Sequence, residues 1–112
     1  MIEFGETAKV KLSGAKKEGF TTTAKVDTGA ARTAIDYNLA ATVGVGPVIS
    51  TVKVTQTSGT DRRPVAKMGL KYQDFEEEIE VGLADRKKND LEYKMIIGKD
   101  ILRREDVIIN LS

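Results

Sequence analysis

The chain has 112 residues, with 18 Lys and Arg against 17 Asp and Glu and with neither Cys nor His. That length fits one domain over 1–112 with its own core, and excludes a two-lobed catalytic cleft unless a second chain supplies half of it. Balanced charge argues against nucleic acid as a partner, and the missing His and Cys exclude disulfides, thiolate or Ser-His nucleophiles and the usual zinc ligands.

The opening Met1-Ile2-Glu3-Phe4-Gly5-Glu6 has no basic leader, and no apolar run approaches the roughly 20 residues of a membrane span. These features predict a soluble, cytoplasmic chain without a membrane partner. Ten Gly, two Pro and many Val, Ile and Thr predict mostly β structure. Alternation in Thr7 to Leu12 and in Phe20 to Val26, around Ser13-Gly14 and a Lys16–Gly19 turn, predicts a hairpin. Asp36 is placed to cap a short helix that Gly44 ends. Val48 to Thr55 alternates as a long strand, and Gln56 to Pro64 is read as the exposed polar tip of a hairpin. Strands follow over Val65 to Tyr72 and Phe75 to Leu83, with Gln73-Asp74 as their turn, and Ala84 to Asp90 reads as a solvated loop. A buried strand over Tyr93 to Ile97, a helix over Lys99 to Arg104 and a terminal strand over Val107 to Leu111 complete the chain. The acidic run Glu76-Glu77-Glu78-Ile79-Glu80 alternates as a strand does, which predicts a solvated face of mutually repelling carboxylates instead of a metal site.

Ala24-Lys25-Val26-Asp27-Thr28-Gly29-Ala30 is the candidate for chemistry. A carboxylate directly after a strand's apolar end stands at the mouth of a tight turn, where Gly allows close backbone approach and the Thr hydroxyl can bond to main chain. Asp, Thr and Gly are also ordinary turn residues. Far downstream, Met95-Ile96-Ile97-Gly98-Lys99-Asp100-Ile101-Leu102 reads as a buried strand running into a helix.

Taken together, these two elements resemble the retropepsin family, the single-domain aspartic proteases of retroviral type. The likeness follows chain order: paired N-terminal strands, Asp-Thr-Gly, a middle hairpin, Ile-Ile-Gly, a helix and a terminal strand with Asn110-Leu111. It implies a mostly β, closed retropepsin-like barrel with one or two short helices. Arg32 and Thr33 after the motif look closest to a cellular branch described as ATP-dependent zinc protease-like and linked to ATP-grasp ligases, although the chain offers no His or Cys to a metal and no phosphate-binding loop.

One Asp-Thr-Gly per chain implies a homodimer, in which two Asp27 carboxylates share a proton and activate a water against a peptide or protein substrate. Asp27, Thr28 and Gly29 are the implied catalytic residues, Ala30, Gly59 and Gly98 the implied substrate-binding positions, and no metal or cofactor is implied. Ala30 lacks the hydroxyl of a Ser at this place, which implies a less acidic optimum. The tip around Ser58-Gly59-Thr60 is the candidate flap or an ordinary polar hairpin. Viral members pair an Asp after the motif with an Arg after the downstream Gly. Ala31 and Lys99 stand there in this chain, leaving Arg32 and Asp100 as a candidate substitute pair or as surface charges. The apolar C-terminal strand would be a sticky edge if left free, and in retropepsin-like dimers the terminal strands of both chains interleave. Two alternatives stay open: a retropepsin-like module that binds peptide or self-associates without cleaving, and an unrelated small β-barrel.

Overall fold

The computed structural model describes residues 1–56, 59–85 and 93–110, which hold nine strands and two short helices. Alternation in Thr7–Ser13 (β2, after Ile2–Phe4 as β1) and in Phe20–Val26 (β3) turns Ala8, Val10, Leu12, Ala24 and Val26 inward. These two strands pair antiparallel from Thr7↔Lys25 to Leu12↔Phe20, as the alternation predicts. Ala34–Asp36 (β4) leads directly into the helix Tyr37–Val43 (α1). Asp36 caps that helix by accepting a hydrogen bond from the Asn38 N–H at 2.9 Å. Gly44 ends it in the left-handed conformation, with φ 80°, a geometry that a Cβ would strain. Leu39, Ala40 and Val43 form the buried face of the helix.

Val48–Gln56 (β5), Gly59–Tyr72 (β6) and Phe75–Ala84 (β7) form a meander, and Met95–Ile97 (β8), Lys99–Leu102 (α2) and Val107–Ile109 (β9) follow. β2 also pairs with β6, from Lys11↔Lys71 to Ser13↔Gly69, which closes a six-stranded barrel in the order β2-β3-β8-β4-β7-β6. Val10, Leu12, Ile35, Met68, Leu70, Val81, Met95 and Ile97 fill it, all at 2% exposure or less. Full burial of a side chain of this kind contributes about 1.5–3 kcal/mol. β5 stands outside the ring, paired to β6 alone among the described strands, so the β5–β6 hairpin extends the sheet beyond the barrel.

Several boundaries differ from the sequence reading. β6 begins at Gly59, six residues before the expected Val65, because its ladder with β5 runs on through Arg63, Arg62, Asp61 and Thr60. Main-chain pairing needs no apolar side chains, and on this extension the residues are mostly exposed, so alternation carries no signal there. The three-residue strands β1 and β4 are too short to register as periodic. The last helix stops at Leu102, and the final strand is described only to Ile109. Thr57 and Ser58 of the candidate flap, most of the expected 84–90 loop and Leu111 lie outside the described residues.

The acidic face on β7 is compensated, not self-repelling. Lys71 stands opposite Glu76 and Lys67 opposite Glu80 across the β6–β7 ladder. Lys67 also pairs with Glu78 at 3.6 Å, and Arg104 pairs with Glu77 while lying 4.9 Å above the Phe75 ring. Exposed pairs of this kind contribute about 0–1 kcal/mol each, so their effect is to cancel repulsion along the strand.

β1 and β9 form a separate two-stranded parallel sheet, from Ile2↔Val107 to Phe4↔Ile109. Phe4 stacks on Tyr72 with ring centroids 4.6 Å apart, and the Tyr72 hydroxyl donates to the Glu3 carbonyl at 2.8 Å. This clasp ties the terminal sheet to the end of β6. Burial, and then the nearby Glu3 charge, raises the Tyr72 phenol above its usual value near 10. A raised phenol favours the neutral form in the folded state, so its stabilisation is intact below pH 10 and is lost as pH climbs through the raised value. Tyr72→Phe is therefore expected to lose about 1 kcal/mol at neutral pH, from the missing hydrogen bond. It should also flatten the decline in urea midpoint that the raised phenol predicts for the wild type above pH 10.

Candidate active site

The Asp27 loop is built by strand order. β8 lies between β3, to which it runs parallel (Lys25↔Ile96, Val26↔Ile97), and β4, to which it runs antiparallel (Ala34↔Ile96, Ile35↔Met95). The chain leaving β3 must therefore cross the carboxyl end of β8 before returning as β4. Residues 27–33 make that crossing. Asp27 donates its N–H to the Ile97 carbonyl at 2.9 Å, which extends the β3–β8 ladder by one residue. Its side chain is half-buried, and its Oδ1 accepts the Gly29 N–H at 2.9 Å. The Ala30 N–H closes the turn on the Asp27 carbonyl at 3.2 Å. A Cβ at Gly29 would stand 3.3 Å from Asp27 Oδ1 and crowd that contact.

The far side of the loop is pinned to the start of α2. The Lys99 N–H donates to the Ala30 carbonyl at 2.8 Å. Thr33 is fully buried, at 0% exposure. Its hydroxyl accepts the Gly98 N–H at 3.1 Å and donates to Asp100 Oδ1 at 2.8 Å, while the Thr33 N–H reaches the same carboxylate oxygen at 3.0 Å. Asp100 is thus engaged by Thr33, and the candidate Arg32–Asp100 ion pair does not form. A backbone N–H and a hydroxyl aimed at one oxygen satisfy the carboxylate locally, whereas Arg32 lies on the outer side of the loop, over Gly82.

Gly98 is where this packing is tightest. It is buried, and a Cβ there would stand 2.6 Å from the Arg32 carbonyl carbon and 2.9 Å from the Ala30 oxygen. Both neighbours are main chain, so only glycine lets the loop lie this close to β8. The structure therefore brings Asp27, Gly29, Ala30 and Gly98 together. Thr28 is exposed at the crest of the turn. Gly59 stands apart at the hairpin tip, paired with Gln56, with φ 128° and open space around it. In the sequence, Thr33 and Asp100 enter only through the motif pattern and the candidate charge pair. The signal for their joint role is a hydroxyl residue leading the apolar Ala34-Ile35 and a carboxylate two residues after a strand-ending Gly.

Beyond the loop, a cleft of about 480 Å³ opens between Ala30–Ala34 and the facing hairpin residues of β5 and β6. Val52 and Val54 form its hairpin wall, and Ala30, Ala34 and Ile96 part of the other. Among the described residues no group of three or more Asp, Glu, His or Cys is placed to hold a metal. No helix among them is long and apolar enough to cross a membrane.

The Thr33 contact is testable. Thr33→Val keeps the side-chain volume but leaves the buried Gly98 N–H without its acceptor, with an expected loss of about 1–3 kcal/mol in urea unfolding. Thr33→Ser should lose about 1 kcal/mol or less. Gly98→Ala forces main chain apart and should cost about 3 kcal/mol or more.

No protein-family model matches the chain, and no curated protein matches it in sequence. Solved structures do match. The inhibitor-bound EIAV protease (complexed with HBY-793) aligns over 94% of this chain and 91% of its own at 16% identity, with a TM-score of 0.70. A Legionella pneumophila protein of unknown function (DUF785) aligns over 98% and 93% at 19% identity, with a TM-score of 0.66. The simian foamy virus (mac) protease aligns over 87% and 91% at 16% identity, with a TM-score of 0.61. At these identities the likeness is one of fold, and the six-stranded barrel with its two short helices is retropepsin-like.

Proposed function

We propose that the chain is an aspartic endopeptidase that works as a homodimer, with Asp27 of each protomer at the shared centre. The observation that carries this reading is the placing of Asp27 on a retropepsin-like fold. The carboxylate sits on a turn fastened to β8 on one side and to the start of α2 on the other, half-exposed, with one oxygen held by the Gly29 N–H and an apolar cleft beginning at Ala30. Two such carboxylates about 3 Å apart hold one proton between them. The ionised member takes a proton from water as the water attacks the peptide carbonyl, and the neutral member protonates the carbonyl oxygen. Thr28, exposed at the crest, would bond across the two-fold axis. Gly29 and Ala30 leave room for substrate main chain, and the β5–β6 hairpin would close over it as a flap.

Kinship with the ATP-dependent zinc protease-like branch rests on Arg32 and Thr33 alone. The zinc of that label does not fit this chain: it has no His or Cys, and the carboxylates nearest the site are engaged by the Gly29 N–H and by Thr33. The terminal strands also bear on assembly. β9 is already paired on one edge with β1 of its own chain, and Ile108 is 43% exposed on it. Interleaving between protomers would therefore use the outer edges of this small sheet.

A second reading, a peptide-binding or self-associating module without cleavage, is favoured by the hairpin, whose described end carries the exposed polar residues Thr60, Asp61 and Arg62. Incubation of a mixed peptide library at pH 4–7 with wild type and Asp27→Asn separates the two. The endopeptidase predicts cleavage by a sedimenting dimer and a loss of about 10²–10⁴-fold in the variant. A folded wild-type dimer that cleaves nothing supports the binding module.

A further inference from the structure

We propose that the cleft beside the Asp27 loop selects extended peptides carrying an apolar and an acidic side chain two residues apart, with Arg63 as the specificity-determining residue. The inference builds on the endopeptidase reading only in taking peptide as the ligand. In the β5–β6 ladder Arg63 stands directly opposite Val52, and cross-strand partners share one face of a sheet. Arg63 therefore shares the cleft face with Val52 and Val54; Lys53, between them on β5, also borders the cleft but from the exposed face of the strand. Across the cleft, Arg32 lies over Gly82, where a Cβ would stand 3.8 Å from its Cδ.

No Asp or Glu lines this cleft. Among the described residues neither arginine forms an ion pair; the pairs present are Lys67–Glu78 and Arg104–Glu77. Asp61 shares the face of Val54 but spends its Oδ1 on the Arg62 N–H, at 2.8 Å. Arg32 also borders a shallow depression that contains Glu80 and Asp100, so part of its charge is offset from behind. Arg63 does not border that depression, and Asp61, two residues away on its own face, forms no ion pair with it, which leaves Arg63 the more discriminating of the two.

Arg63 is half-buried as a residue; a guanidinium beside apolar walls attracts a carboxylate more strongly than it would in open water, and its planar fork can take both carboxylate oxygens. The walls themselves favour an aliphatic side chain. Along an extended peptide, side chains two residues apart lie on one face about 6.6 Å apart. One ligand strand can thus seat an aliphatic residue against Val54 and Ala34 and an acidic one at Arg63. The volume of about 480 Å³ accommodates both.

The test uses the 112-residue chain carrying Asp27→Asn, so that binding is read without cleavage. Fluorescein-labelled ten-residue peptides with a central Leu-Ala-Glu, Glu-Ala-Leu, Leu-Ala-Gln or Leu-Ala-Lys are titrated by anisotropy at low and high salt. The better of the two Glu peptides is expected to bind about tenfold tighter than the Gln peptide at low salt, with the gap narrowing as salt rises. Arg63→Gln in the same background should erase the gap, and Arg63→Glu should turn the preference toward Lys. Equal affinity for Glu and Gln peptides, a gap untouched at Arg63, or no binding of any peptide overturns the proposal. Self-association that Arg63→Glu abolishes would put a second copy of the chain in the cleft and overturn it too. Cleavage of the library by wild type without acidic preference sinks this inference and leaves the endopeptidase standing. Acidic-selective binding without wild-type cleavage does the reverse.

Discussion

The Thr33 hydroxyl, held between the Gly98 N–H and the Asp100 carboxylate, fixes the geometry on which the candidate site depends. The loop from Asp27 to Thr33 has to cross the end of β8 to get from a parallel neighbour to an antiparallel one, and a crossing loop leaves main-chain groups over a strand end. Such groups must find partners or lose about 1–3 kcal/mol each. The chain meets this with the Asp27 N–H on the Ile97 carbonyl, the Ala30 carbonyl on the Lys99 N–H, and Thr33 plugging the remaining gap. Once those bonds are made, the Asp27 carboxylate has little freedom left in where it points.

The same crossing explains why the site is rigid on one side and open on the other. Toward the barrel, Gly98 and Thr33 are buried among main chain and apolar side chains. Away from it, Thr28 is free at the crest, and the cleft is bounded by a hairpin that β5 joins through one edge only. A rigid carboxylate facing a wall held by a single ladder is the arrangement that lets a substrate enter without disturbing the groups that orient the acid. The two arginines facing that cleft extend the same division: the barrel sets position, and the projecting elements set preference.

Much of this was legible in the sequence where local physics matched the final environment. Asp36 and Gly44 marked both ends of α1, since capping chemistry is local. The alternation in β2 and β3 marked a hairpin with one buried face. The Asp27 turn stood out because a carboxylate directly after an apolar strand end is unusual, and its link to Ile97-Gly98 came from a family resemblance instead of from spacing. The pairing of Asp100 with Thr33 was not legible, since a charge suggests a charged partner and nothing local reveals a hydroxyl brought in beside the neighbouring strand from 67 residues away in sequence. The length of β6 escaped because polar residues 59–62 are exposed and paired by main chain alone. The acidic run on β7 looks self-repelling in the sequence because its compensating Lys67 and Lys71 lie on a neighbouring strand, in a register that only the closed sheet defines.

In the proposed homodimer, two copies of this chain bring their Asp27 turns together on one axis. Because the chain contains no cysteine, a single engineered thiol reports this without background. Thr28→Cys under mild oxidation should give a disulfide-linked dimer at low protein concentration, since a disulfide requires Cα atoms within about 4.4–6.8 Å. Thr42→Cys, exposed on α1, is the matched control and should stay unlinked under the same conditions. Rapid linkage at 28 alone is the predicted result. A folded Thr28→Cys chain that links no faster than the control would contradict it.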